Sequence, residues 1–194
     1  MSLSDSGAGS CEGAAPHGRR RRLFFALWPD EELRRRLRER IDRRLILRDG
    51  RPEPIGNLHV TLVFIGDVVA GCVPAVERAV AGIPGTAFEL SLERVGYWGR
   101  PRILWLGPRE VPPPLYALVG DLRAAAEACG FAAETRPYLP HMTLARKVSR
   151  PPRVEAIEPV RWSISSYSLM ESVPVAGRSA YRVLNTWPLQ PESR

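Results

Sequence analysis

A short motif occurs twice in this chain of 194 residues. Residues 57–62 read Asn-Leu-His-Val-Thr-Leu, and residues 139–144 read Leu-Pro-His-Met-Thr-Leu. Both copies carry His-x-Thr-Leu at the start of a strand-like run, and together they hold two of the chain's three histidines. From the chain's own Thr and Leu frequencies, we expect this coincidence by chance on the order of once in 10,000 or less often. The repeat is therefore the strongest signal in the sequence.

Strand geometry explains the spacing within each copy. Successive side chains of a strand point to opposite faces, so His59 shares a face with Thr61, and His141 shares one with Thr143. We expect the intervening and following apolar side chains to pack on the other face: Val60, Leu62, Phe64, Met142 and Leu144. If two lobes face each other about a pseudo-twofold axis, one cleft receives two imidazoles and two hydroxyls.

Apolar spacing and turn residues predict helices interleaved with strands. A helix is predicted to open at Pro29-Asp30, with apolar residues at four-residue spacing on one face: Leu33, Leu37, Ile41 and Leu45. Two more helices are predicted over about 73–81 and 115–129. The predicted strands are 22–28, 58–65, 88–98, 102–106, 140–148, 160–173 and 180–187, and residues 51–56 are predicted to form a loop. This order is no clean βα alternation, which favours an α+β fold with antiparallel sheet.

Residues 1–18 are rich in Ser, Gly and Ala without periodicity, so we expect a disordered leader before a folded part over 19–194. No apolar run approaches the roughly 18–20 residues that cross a bilayer, and no secretory signal is visible. We therefore expect a cytoplasmic protein. Three widely spaced cysteines, Cys11, Cys72 and Cys129, argue against a disulfide framework and a zinc site. No glycine-rich dinucleotide or phosphate-loop motif is present.

The net charge of +7 and a pI near 10.0 favour a polyanionic partner such as nucleic acid. The charge alone is a weak signal, because Lys147 is the only lysine and the arginine bias can reflect coding composition. Much of the excess also lies in the arginine run at 19–22 and along the first helix, where it can be a solvated face.

The paired motifs suit phosphodiester chemistry. Water attacking a cyclic phosphate must lose a proton while the departing ribose oxygen gains one. Two imidazoles can do both, since their unperturbed pKa lies near neutrality. Two threonine hydroxyls can donate hydrogen bonds to the non-bridging oxygens, where negative charge builds up. No metal or other cofactor is required by this scheme, and the sequence shows no carboxylate cluster to hold one.

On these residues the chain resembles the two-histidine phosphoesterase superfamily. Within it, the chain is similar to the bacterial and archaeal RNA 2′,3′-cyclic phosphodiesterases, historically called 2′-5′ RNA ligases. The resemblance extends from residue 22 to about 189 and rests on residues 22–27 with the nearby Pro-Asp-Glu-Glu, 57–66, 102–107, 136–146 and 181–189. The Arg-Pro-x-x-Pro-His and Thr-Leu-Ala-Arg contexts of the second motif narrow it to this branch.

The resemblance implies a bilobal α+β fold in which each lobe has an antiparallel sheet with outer helices and a basic cleft lies between. It implies hydrolysis of 2′,3′-cyclic phosphate RNA ends to 2′-phosphomonoesters. Nothing in the sequence demands an oligomer, so we expect a monomer. By analogy, His59 is the proton donor and His141 the proton acceptor, and the expected phosphate ligands are Thr61, Thr143 and Arg146. Simple alternation places Arg146 opposite His141, so either the strand bends there or the assignment fails. Tyr138 and Trp98 are candidates for base stacking.

Three other functions remain open from the sequence. The first is another two-histidine activity, such as cyclic ADP-ribose phosphate hydrolysis or cleavage of 2′-5′ linked oligonucleotides. The second is a non-catalytic RNA or nucleotide-binding module, although binding alone would not require two groups that titrate near pH 7. The third is ligation of a 2′,3′-cyclic phosphate to a 5′-hydroxyl, the reverse chemistry, against which water at its bulk concentration favours hydrolysis.

Overall fold

The computed structural model describes residues 18–132, 134, 136–154 and 156–191. Its strands are β1 (Arg20–Leu27), β2 (Arg51–Pro52), β3 (Val60–Val69), β4 (Phe88–Trp98), β5 (Ile103–Gly107), β6 (Met142–Arg146), β7 (Ala156–Ile164), β8 (Ser166–Val175) and β9 (Arg178–Pro188). The helices are α1 (Glu31–Arg44), α2 (Val73–Val80) and α3 (Pro113–Ala128), with 3-10 turns at Ile55–Asn57 and Ala70–Cys72. Within these ranges, no helix has the length and apolar character needed to cross a membrane.

Helix α1 forms for the reasons that the sequence suggests. The Asp30 side chain accepts a hydrogen bond from the Leu33 amide at 2.7 Å, which caps the first turn. Acidic residues occupy the first turn and basic residues the last, in the sense that the helix dipole favours. The predicted apolar stripe is buried: Leu33, Leu37, Ile41 and, just after the helix, Leu45. The other predicted helices are confirmed to within two residues at each end.

The sheet consists of two halves joined at one point. Its order is β7-β4-β5-β6-β3-β1-β8-β9, with β2 added beside β6, and every pairing between these strands is antiparallel. We call β3-β1-β8-β9 the first half-sheet and β7-β4-β5-β6 the second half-sheet. A single residue pair, Val60 with Met142, joins them. Each of these residues directly follows one of the motif histidines, so the junction brings the two motifs together.

The helices tie the halves to each other. Helix α1 precedes β3 of the first half-sheet in the chain but packs on β7 of the second. Helix α3 precedes β6 of the second half-sheet but packs on β3 of the first and on α2. A continuous apolar core lies between the helices and the sheet. The predicted α+β bilobal fold is confirmed, with the refinement that the two antiparallel sheets are hydrogen-bonded to each other at the junction.

The prediction of one strand over 160–173 is wrong. The structure has two strands, β7 and β8, which break at Ser165 and lie in opposite half-sheets. The buried apolar residues change phase at this point, from Val160, Trp162 and Ile164 to Tyr167 and Leu169. Because strand side chains alternate strictly, this change of phase marks the break. The predicted leader over 1–18 lies outside the described residues apart from Gly18, and it stays a prediction.

Candidate active site

A cavity of about 740 Å³ lies at the junction of the two half-sheets. Both motifs line it, through His59 and Thr61 from the first and His141 and Thr143 from the second. Its remaining lining is strongly basic, and the cationic residues are Arg22, Arg51, Arg146, Lys147 and Arg178. The two repeated segments, which lie 82 positions apart in the chain, therefore supply one site.

The backbone fixes the tautomer of His59. Its Nδ1 lies 2.6 Å from the carbonyl oxygen of Asn57, which can only accept, so Nδ1 carries the proton. Nε2 lies 3.2 Å from the Thr61 hydroxyl and is the nitrogen left for proton transfer. Three aromatic rings enclose the imidazole, with centroids at 4.8 Å (Tyr181), 5.2 Å (Phe24) and 5.9 Å (Trp28).

Burial lowers the pKa of His59 to about 4, and the charges of Arg146 and His141 contribute in the same direction. The Asn57 carbonyl and the Glu53 carboxylate oppose this shift without reversing it. His59 is consequently neutral near pH 7 in the free protein. It would take up a proton more readily once an anion occupies the cavity.

His141 is held by the same device. Its Nδ1 donates to the carbonyl of Leu139, two residues earlier, at 2.9 Å. The ring of Trp98 meets it edge-on at 4.6 Å, and Trp105 lies behind at 6.5 Å. Burial lowers the pKa of His141 as well, and Arg146 adds to the effect. Both histidines therefore have Nδ1 bonded to a backbone carbonyl and Nε2 available for proton transfer, in related but unequal surroundings.

An equivalent bulge follows each motif, and the one in β6 places Arg146 at the cavity. In the pairing of β5 with β6, Leu104 faces Ala145 and Trp105 faces Thr143, which leaves Leu144 as the extra residue of a bulge. In the pairing of β1 with β3, Phe25 faces Val63 and Ala26 faces Thr61, which leaves Leu62 in the same role. The bulge reverses the alternation after each motif, and Arg146 consequently lies on the same side as Thr143.

The equivalent bulge in β3 overturns the prediction that Phe64 packs in the core. Phe64 is 43% exposed and lines the cavity. The guanidinium of Arg22 lies over its ring, 4.8 Å from the centroid. Phe64 and Arg146 thus occupy corresponding places five residues after the two histidines. The remaining apolar residues predicted for the core face are buried: Val60, Leu62, Met142 and Leu144.

The two base-stacking candidates lie in different places. Tyr138 is outside the cavity lining and its hydroxyl donates to the Thr61 carbonyl at 3.1 Å, which braces the segment before the second motif against the first. The phenol thus belongs to the framework that joins the motifs, and the role of Tyr138 in base stacking stays a prediction. Trp98 lies against His141 at the side of the site, and its role in base stacking stays a prediction.

Sequence reasoning missed several residues of the site. Phe24 and Tyr181 line the cavity beside His59, and Glu53 is the acidic residue among the lining side chains. Phe24 belongs to the first strand, between the core residues Leu23 and Phe25. Strand alternation places it on the opposite face from these two residues, and this signal could have identified it. Glu53 lies in the predicted loop over 51–56, and only tertiary pairing reveals its position, because β2 aligns with β6 there.

The arginine run at 19–22, unexplained by the sequence, largely belongs to β1. Arg21 forms a bidentate ion pair with the buried Glu171, which Arg182 also contacts. Arg22 lies over Phe64 at the cavity. Among the described residues, no cluster of three or more His, Cys, Asp or Glu side chains is arranged to hold a metal ion. The predicted independence of metals stays a prediction.

Comparison with known proteins identifies relatives over most of the chain. A family model described as LigT like Phosphoesterase matches twice, over residues 27–105 and 106–181, and each match contains one motif. The RNA 2′,3′-cyclic phosphodiesterase of Escherichia coli is 34% identical over 172 residues, which cover 87% of this chain and 96% of that protein. The RNA 2′,3′-cyclic phosphodiesterase of Thermus thermophilus is 30% identical over 184 residues, covering 88% and 91%.

A solved structure agrees with these matches. The crystal structure of E. coli LigT complexed with 3′-AMP has a TM-score of 0.81 and 32% sequence identity to this chain. The match covers 88% of this chain and 99% of the E. coli one. The likeness therefore extends over both half-sheets and both motifs.

Proposed function

The chain belongs to the LigT-like phosphoesterases, and we propose that it is an RNA 2′,3′-cyclic phosphodiesterase that converts 2′,3′-cyclic phosphate ends to 2′-phosphomonoesters. The observation that carries the proposal is the pair of imidazoles, each with Nδ1 bound to a backbone carbonyl, lining one basic cavity. The curated relatives named above carry this activity in their names. We extend the proposal to a monomer that works on RNA ends in the cytoplasm.

In the proposed reaction, His141 accepts a proton from water through Nε2 as the water oxygen bonds to phosphorus. The bond between phosphorus and O3′ breaks, and protonated His59 delivers its Nε2 proton to O3′. The phosphoryl group stays on O2′. Thr61, Thr143 and Arg146 donate hydrogen bonds to the non-bridging oxygens, where negative charge develops. Each histidine ends in the protonation state that the other had at the start, so an exchange of protons with solvent restores the site.

The low pKa of His59 has two opposing consequences for this role. A low pKa makes the protonated imidazole a stronger acid toward the departing O3′, but it reduces the fraction that is protonated in the free protein. A bound cyclic phosphate carries a negative charge, which favours the imidazolium and raises the pKa. Binding of the substrate thus supplies the protonation state that the acid step requires.

Hydrolysis is the direction we propose over ligation and over action on other cyclic or 2′-5′ linked nucleotides. The phosphate-binding groups serve all of these reactions alike, so the choice rests on the relatives and on the concentration of water. A non-catalytic binding module would have no use for two imidazoles held in one tautomer. Proton transfer through Nε2 explains why both imidazoles are held in this tautomer.

The test uses a short oligonucleotide that ends in a 2′,3′-cyclic phosphate, incubated with the full chain in the presence of EDTA. We expect conversion to a 2′-phosphate, identified by its resistance to an enzyme specific for 3′-phosphates. A folded protein that leaves the cyclic end intact contradicts the proposal. Cleavage of a 2′-5′ linked oligonucleotide in place of the cyclic end would support the alternative activity.

A further inference from the structure

An acidic residue lies in the basic cavity and needs an explanation. Glu53 shares the cavity lining with five cationic residues, and its side chain is only 14% exposed. A carboxylate at this place disfavours the anion that such a cavity attracts. Its presence within the cavity wall therefore points to a function that offsets the lost attraction.

Glu53 is held in place from both sides. Proline flanks it at positions 52 and 54, and its backbone amide donates to the Leu144 carbonyl at 2.9 Å. The preceding residues pair with β6, where Arg51 faces Arg146. The backbone at Glu53 is thus fixed against the bulged end of the strand that carries the second motif.

The carboxylate of Glu53 binds Arg146 by one edge. Arg146 Nε donates to Glu53 Oε1 at 2.5 Å. A guanidinium has five N–H groups in a rigid plane, so this bond uses the one on Nε and restricts the orientation of the four on Nη1 and Nη2. Phosphate oxygens accept such paired N–H groups well. Arg146, itself 47% exposed, would otherwise have rotamer freedom to lose on binding.

The charge of Glu53 also extends over the site. It raises the pKa of His59, and it adds to the effect of burial in raising the pKa of Tyr181, whereas Arg146 acts on both in the opposite direction. A 2′,3′-cyclic phosphate carries one negative charge, but a phosphomonoester carries nearly two near pH 7. Coulomb repulsion by a fixed carboxylate is therefore about twice as strong for the monoester.

We propose that Glu53 is a positioning residue that aims Arg146 at the substrate phosphate, and that its charge selects the monoanionic diester over the dianionic monoester. The inference rests on the proposed function, since the two anions are its substrate and product. Glu53 thereby promotes release of the product from a cavity that would otherwise retain it.

The test combines binding and turnover in four variants of the full chain: Glu53→Gln, Glu53→Ala, Arg146→Ala and the Glu53→Ala/Arg146→Ala double variant. Glu89→Gln is the matched control, because Glu89 pairs with Arg161 on the exposed side of the sheet and lies outside the cavity lining. Calorimetry measures the affinity for inorganic phosphate and for adenosine 2′-monophosphate at pH 8. Hydrolysis of the cyclic phosphate gives kcat and KM.

Glu53→Gln keeps an acceptor for Arg146 and removes the charge, so we expect both dianionic probes, inorganic phosphate and adenosine 2′-monophosphate, to bind about five- to tenfold more tightly. We expect Glu53→Ala to lower kcat/KM by about tenfold, in the range of a lost charge-assisted hydrogen bond. The double variant should be no worse than Arg146→Ala alone, because Glu53 acts through Arg146. The limb of the pH profile that reports His59 should move to lower pH in Glu53→Gln, since Glu53 raises that pKa.

Unchanged phosphate affinity in Glu53→Gln would overturn the charge selection, and additive losses in the double variant would overturn the positioning role. Glu89→Gln should match the wild type in every measurement. If the wild type fails to open cyclic ends, the proposed function fails, but the binding comparison with inorganic phosphate still decides whether Glu53 opposes dianions.

Discussion

The two motif-bearing strands share a bulge directly after the motif but differ in their side chains. In β3 and β6 alike, a bulge follows the motif and turns the fifth residue after the histidine toward the cavity. That residue is an aromatic ring in one half, Phe64, and a cation in the other, Arg146. The equivalent bulges thus place the same position at the cavity in both halves, and different residues at that position give the two sides different chemistry.

The histidines differ in the same sense. Three aromatic rings surround His59, and burial lowers its pKa to about 4. His141 contacts two tryptophans, and its carbonyl partner belongs to an exposed segment before β6. Because an acid and a base need different pKa values, unequal surroundings for equivalent imidazoles are what a divided role requires.

The largest effect should come from removing either imidazole. We expect His59→Ala and His141→Ala each to lower the rate of cyclic phosphate hydrolysis by about 10²- to 10⁴-fold, the usual contribution of a general acid or base. The measurement is single-turnover kinetics with EDTA present, together with circular dichroism to establish folding. A variant that keeps more than a tenth of the rate would remove that histidine from the reaction.

The next effect tests the corresponding positions at the two bulges. Arg146→Ala should lower kcat/KM by about 10- to 100-fold, because a charge-assisted contact to the phosphate is lost. Arg146→Lys should recover part of this loss. Phe64→Ala removes the side chain at the equivalent position of the first half. No cation that contacts the phosphate is lost, so we expect a smaller decrease in kcat/KM. Equal losses in both variants would contradict the division between a cationic and an aromatic side.

A third prediction concerns the packing behind His141. Gly96 faces Trp105 across the β4–β5 pair, and a Cβ at Gly96 would lie 2.0 Å from the indole. Gly96→Ala should lower the free energy of unfolding by about 1–3 kcal/mol through overpacking. Gly120→Ala in α3 is the control, since an added Cβ there has no neighbour within 4 Å and alanine favours a helix. Denaturant titration of both variants measures the difference.

The pH dependence should show the smallest but most specific effect. Because the pKa values of both histidines are lowered in the free protein, kcat/KM should follow a bell with its maximum on the acid side of about 6.5. The bound anion raises both pKa values, so the kcat profile should lie at higher pH than that of kcat/KM. A profile that stays flat from pH 5 to 9 would contradict paired histidine catalysis.

The sequence allowed the fold class, most elements and the set of histidines and threonines to be predicted, because strand alternation and the repeated motif are local signals. It did not allow Phe64 to be placed correctly, since a bulge depends on pairing with a neighbouring strand. Glu53 was missed for a related reason, because its position at the cavity depends on the pairing of its segment with β6. The phase of the apolar residues changes at Ser165 and marks the break. The break was nevertheless missed, because the composition is strand-like on both sides of it.

The division of labour between the histidines is the central claim, and a change of leaving group tests it most directly. We would compare the wild type, His59→Ala and His141→Ala on the cyclic phosphate and on a p-nitrophenyl phosphodiester, whose leaving group departs without a proton. We predict that His59→Ala loses activity on the cyclic substrate but retains most of it on the p-nitrophenyl substrate, while His141→Ala loses both. Equal losses of activity on both substrates in the two variants would contradict the assignment. Activity on the p-nitrophenyl substrate that is retained by His141→Ala and lost in His59→Ala would contradict it as well.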